Sequence, residues 1–134
     1  MYGVNSTSST SSFFDIGFSS YYIQSFIVRS GLWVDGVQLT YTNGKSSYSS
    51  SVRGGTGGGM NIFNIPTGQY ISIIYVCFSS PNIQGFKFTT NLGLVSSMFG
   101  GTAGTCSNVT IPAPGLLGIG GYSGTFLNGI FFIY

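Results

Sequence analysis

Twenty-two glycines are spread through the 134 residues so that no long segment carries apolar residues at helical spacing. Between them lie short β-branched and aromatic runs bounded by Ser, Asn and Pro, the pattern of strands joined by turns. Residues 36–42 alternate cleanly, which sets Val37, Leu39 and Tyr41 on one face. Residues 61–65 form another such run and end at Pro66, which has no N–H to give a sheet ladder. Residues 70–78 are apolar almost throughout, which predicts a strand covered on both faces. The fold class is all-β, and the length suits one domain of the common ~100–150 residues.

Charge is the second constraint. Only Asp15, Arg29, Asp35, Lys45, Arg53 and Lys87 are ionised, 4% of the chain, against ~25% in a typical soluble domain. A net charge of +2 on separated positions makes no basic patch, which excludes nucleic acid as a partner. Such weak repulsion predicts a chain that associates with copies of itself or is covered by glycan. Catalysis is excluded on the same inventory. There is no His and no Glu, so a thiol nucleophile has no activating base, and Asp15 and Asp35 each have a structural reading. The run RGGTGGG at residues 53–59 lacks the Lys of a phosphate loop and reads as a turn needing positive φ. No enzyme, cofactor or metal is expected.

Cys77 and Cys106 permit one intrachain bridge. Paired, they would add on the order of 3–4 kcal/mol and indicate an oxidising compartment; unpaired, they would be two small buried hydrophobes. Asn5-Ser6-Thr7 and Asn108-Val109-Thr110 both satisfy the N-glycosylation pattern. Residues 1–12 read as a flexible polar arm, without the basic start and apolar run of a signal peptide. The longest apolar stretch is far short of the ~20 residues that span a bilayer.

A series of residues carries a resemblance. Ile23, Phe26 and Val28 lead to Gly31, Val34, Asp35, Val37, Leu39 and Tyr41; then come Gly54, Gly55, Gly57 and Gly58. Ile83, Phe86, Phe88, Thr90 and Asn91 follow, then Phe99 and Gly100, and finally Gly118, Gly121, Ser123, Gly124, Leu127, Gly129 and Ile130. In order and spacing, from Phe13 onward, this resembles the jacalin-related lectins. The resemblance implies a β-prism I fold, three four-stranded antiparallel sheets packed on a common centre, over residues 13–134. Its centre would take Phe26, Val28, Trp33, Val37, Leu39, Ile71, Ile73, Val76, Phe86, Phe88, Leu117 and Ile130, with Trp33 also suited to stacking on a sugar. A threefold pseudosymmetry is implied by the family; no internal repeat stands out in the residues themselves.

The family's sugar loop is a glycine, three residues and an aspartate. Here Gly124, Thr125, Phe126 and Leu127 lead to Asn128 in place of the aspartate. Thr125 and Phe126 would supply backbone donors. Asn128 would offer one acceptor and one donor where a carboxylate accepts from two hydroxyls. Thr10, Ser11 and Ser12 stand where the family has paired glycines. The implied function is an extracellular, non-enzymatic lectin module that binds glycans within a homo-oligomer or polymer. The alternative is a structural subunit of a filament, coat or matrix with a degenerate sugar site.

Overall fold

A computed structural model describes Tyr2–Gly3 and residues 10–134. The described residues form strands and turns without a helix. In chain order the strands are β1 (Tyr2–Gly3), β2 (Ser11–Ile16), β3 (Tyr22–Ser30), β4 (Val34–Thr42), β5 (Ser47–Ser49), β6 (Arg53–Gly54) and β7 (Gly59–Asn64). They continue as β8 (Ile71–Ser79), β9 (Asn82–Thr90), β10 (Phe99–Gly100), β11 (Thr105–Thr110), β12 (Gly118–Ser123) and β13 (Leu127–Ile133). Three antiparallel sheets result, ordered β1-β13-β12-β2, β10-β9-β8-β11 and β5-β4-β3-β7, the last with β6 also on β4. This is the expected prism, with five strands in one sheet where four were expected. Of residues 1–12, Tyr2–Gly3 pair with β13 and Ser11 opens β2; Met1 and residues 4–9, Asn5 among them, lie outside the described residues.

The extra strand has a local cause. Ser50 divides β5 from β6 by a wedge: its N–H donates to Leu39 O at 2.9 Å and its Oγ accepts from Leu39 N–H at 3.0 Å. Ser96 does the same to Phe88 in the second sheet, with both bonds at 2.9 Å. These serines begin an internal repeat, SSVRGG at residues 50–55 and SSMFGG at residues 96–101. A second repeat lies on the inner strands: Val34-Asp35-Gly36, Ile83-Gln84-Gly85 and Leu127-Asn128-Gly129. Each middle residue is a β-bulge, skipped where Ser30 pairs with Val34, Phe78 with Ile83 and Ser123 with Leu127. Opposite each following glycine sits one at positive φ, Gly54, Gly100 or Gly3. The threefold relation is therefore written in the residues, at spacings too irregular to stand out without the pairing.

The three inner faces share one core. Phe26, Val28, Val37, Leu39, Ile71, Val76, Phe86, Phe88 and Ile130 are buried as expected. Trp33, Ile73 and Leu117 are not, at 37%, 36% and 42% exposure. Trp33 belongs to a hairpin turn, and Leu117 precedes β12. In β8 the pairing slips at Ser72, between Ile71 and Ile73, so inward parity passes to Ile74. That slip also corrects the expectation of a strand covered on both faces, since Ile73 and Tyr75 face outward and stay partly open. Cys77 and Cys106 lie directly opposite each other on β8 and β11 and form a disulfide, with Sγ atoms 2.07 Å apart. Asn108 is exposed on β11.

Two of the sparse charges meet. Asp15 of β2 accepts from Arg53 of β6 through both oxygens, Nε at 2.9 Å and Nη2 at 2.7 Å, with side-chain exposures of 9% and 30%. The guanidinium also lies 5.6 Å from the centre of the Phe13 ring. One bidentate pair thus ties the first sheet to the third. Removing one partner strands a desolvated charge, so Arg53→Leu is expected to cost about 3 kcal/mol in urea unfolding. Adding Asp15→Asn to that variant should restore much of the loss.

Tyr41 Oη is buried without a hydrogen-bond partner among the described residues. Burial first, then the Asp15 carboxylate and Tyr48, raise its pKa well above the ordinary phenol value. The unfolded chain therefore ionises first: the neutral phenol's contribution is complete below pH ~10 and is lost as pH rises above it. Tyr41→Phe should gain about 1 kcal/mol at neutral pH by removing the orphan hydroxyl. Urea titrations at rising alkaline pH should show the variant losing less stability than the wild type.

Candidate functional site

The β3–β4 and β12–β13 hairpins are built alike. Gly31, Leu32 and Trp33 form one turn, and Gly124, Thr125 and Phe126 the other. Gly31 N–H donates to Trp33 O at 3.0 Å, and Gly124 N–H to Phe126 O at 3.0 Å. A three-residue turn closed this way carries its bulge one residue into the next strand, which places Asp35 in one hairpin and Asn128 in the other. The frames read GLWVD and GTFLN. The turns touch: the Trp33 and Phe126 rings meet edge to face with centroids 5.7 Å apart.

Asp35 has the more open setting. It is half-buried, and no hydrogen bond or ion pair reaches its carboxylate among the described residues. Its oxygens face Gly57 and Gly58, where a Cβ would lie 3.2 Å from Oδ1 and 2.7 Å from Oδ2. The glycine loop is held in place by Arg29, whose Nη1 donates to Thr56 O at 3.4 Å. The N–H groups of Leu32 and Trp33 donate to no backbone carbonyl among the described residues. A two-oxygen acceptor, neighbouring N–H donors, an aromatic ring and a wall without side chains are thus gathered within one hairpin and one loop. That set matches a neutral polyhydroxylated ligand, whose hydroxyls donate to carboxylate and accept from amide.

The equivalent places differ. Asn128 Nδ2 donates to Pro81 O at 3.0 Å and to Asn82 Oδ1 at 3.3 Å, so its amide stitches β13 to the β8–β9 turn. The third bulge residue, Gln84, is buried and donates to Ser79 O at 3.5 Å. At the equivalent position of the repeat, Ala103 stands where the Asp35 loop has Gly57.

A family model for the jacalin-like lectin domain matches residues 5–133. The chain belongs to that family. As a jacalin-like lectin domain it is a member of a family of lectins, not of enzymes. Among solved structures it is similar to Malaysian banana lectin, at 22% identity and TM-score 0.78, over 98% of this chain and 94% of that one. It is similar also to a mannose-binding jacalin-related lectin from Ananas comosus, at 18% identity and TM-score 0.78, over 98% and 91%. A prostate-specific WGA16 glycoprotein lectin gives 21% identity and TM-score 0.82, over 98% and 95%. At such identities the likeness is one of fold. No curated protein sequence matches the chain.

Within this jacalin-like domain, the residues expected at the sugar loop do come together at the end of one hairpin. Gly124, Thr125 and Phe126 form its turn and Asn128 its bulge, with the Asn128 amide turned to the neighbouring hairpin. Sequence reasoning passed over Asp35 because it sits inside a strand pattern. The signal was nonetheless present, since Gly31 to Asp35 is the family's glycine, three residues and aspartate. Asn128→Asp would set a carboxylate against two oxygen acceptors, so thermal unfolding should show a loss of about 2 kcal/mol.

Proposed function

We propose that this jacalin-like domain binds carbohydrate through the Gly31–Asp35 hairpin and the glycine loop at residues 54–58. The observation that carries the reading is the Asp35 carboxylate, unpartnered among the described residues and facing Gly57 and Gly58. Asp35 accepts from two vicinal hydroxyls, the Leu32 and Trp33 N–H groups donate to ring oxygens, and Trp33 and Phe126 border the sugar with aromatic surface. Gly57 keeps the approach open; the equivalent position of the repeat carries Ala103. The Ananas comosus relative, a mannose-binding lectin, makes mannose-containing oligosaccharides the first ligand class to test.

The proposed setting is extracellular, which the Cys77–Cys106 disulfide supports. A structural subunit of a filament or coat draws its motive from sparse charge and the changed loop at Asn128; the Asp35 hairpin gives the carbohydrate reading the stronger support. A glycan array followed by calorimetry tests it. Wild type should bind mannose-containing oligosaccharides, Asp35→Asn should lose at least about tenfold in affinity, and Gly57→Ala should weaken binding while leaving the melting temperature near that of wild type. Asn128→Ala should retain binding. Equal binding by wild type and Asp35→Asn would move the site elsewhere.

A further inference from the structure

We propose that a cavity at the end of the prism opposite the hairpins is a binding site for a neutral, largely apolar small molecule. Tyr22, Ile71 and Gly118 begin β3, β8 and β12, the strands whose far ends carry the three hairpins. Beside these beginnings lies a cavity of about 460 Å³. Its floor is the buried trio Ile23, Ile71 and Leu116, and its mouth is bordered by the half-exposed Tyr22 and Leu117. The lining is mostly apolar and includes no charged side chain, which favours an apolar ligand over a polyhydroxylated one.

The walls are fixed before any ligand arrives. Gln69 N–H donates to Pro66 O at 3.0 Å and Gly115 N–H to Pro112 O at 2.8 Å, closing the turns on either side. Tyr70 N–H donates to Asn91 Oδ1 at 2.9 Å, and Asn91 N–H returns a bond to Tyr70 O at 3.0 Å. The buried Thr90 hydroxyl donates to Gln69 Oε1 at 2.7 Å, which holds the carbonyl end of that side chain and leaves its amide as donor. An apolar, concave, preformed space with one oriented polar group has the anatomy of a small-molecule site, for which ~300–1,000 Å³ is usual. The absence of charge in the lining disfavours ions.

The probe is N-phenylnaphthylamine, a neutral fluorophore that brightens in apolar surroundings, titrated into the full chain. One saturable site is expected, with intermolecular NOEs from the probe to the Ile23 and Ile71 methyl groups. Leu117→Arg places a charge at the mouth and Thr67→Trp fills it from an exposed turn; each should weaken binding about tenfold or more, with circular dichroism melts as the folding control. Asp35→Asn should leave probe binding unchanged. Unsaturable brightening, NOEs confined to other residues, or undiminished binding by the folded variants would overturn the proposal. A dimer that the probe dissociates would overturn it too, by making the cavity a socket for a second copy.

Discussion

The loop-bearing end of the prism depends on one hydrogen-bonded device, a bulge whose carbonyl is clamped from the neighbouring strand. Gly55 N–H donates to Asp35 O at 2.8 Å, and Gly101 N–H donates to Gln84 O at 2.8 Å. The preceding Gly54 and Gly100, at φ of 102° and 93°, lie against those same carbonyls, where any side chain would collide. Gly3, at φ 98°, takes the same position against Asn128 O. With the backbone so fixed, each bulge residue is held at the hairpin end of its strand pair.

Three copies of one device have come to three chemical states. Gln84 is buried and turned to its own hairpin, Asn128 is spent joining two hairpins, and Asp35 keeps a carboxylate without a partner among the described residues. The chain has only two carboxylates, and they divide the labour. Asp15 is consumed by a bidentate bond to Arg53 that couples two sheets. Arg29, the cation nearest in sequence to Asp35, spends a hydrogen bond on the Thr56 carbonyl of the glycine loop. The distribution of these few charges separates holding the prism together from presenting an acceptor at its surface.

Much of the fold was legible because its determinants are local. Alternation of Val37, Leu39 and Tyr41 fixed the inward face of β4, and the Gly and Ser clusters fixed the turns. The failures are equally particular. Ile73 was misplaced because a bulge at Ser72 reverses parity, which apolar content alone does not reveal. The serine wedges at Ser50 and Ser96 read as ordinary polar residues until their bonds to Leu39 and Phe88 are seen.

By itself the sequence determined an all-β chain with the strands and turns of a jacalin-like lectin domain, and an inventory without His or Glu that offers no catalytic base. The all-β class and the inventory follow from composition and periodicity; the jacalin-like domain came from resemblance to the family. Tertiary structure decided how the three bulge residues are used: Asp35 keeps a carboxylate without a partner among the described residues, while Asn128 and Gln84 are bonded to neighbouring backbone. The deciding contacts set Asp35 beside Gly57 and Arg29 against Thr56 within one sheet and its loop, and join Asn128 to Pro81 across two sheets. It likewise created the apolar cavity, whose walls come from three separate segments of the chain. The cavity has no local signature, because it depends on which distant atoms occupy the remaining space; the acceptor frame has one, in the spacing of Gly31 and Asp35.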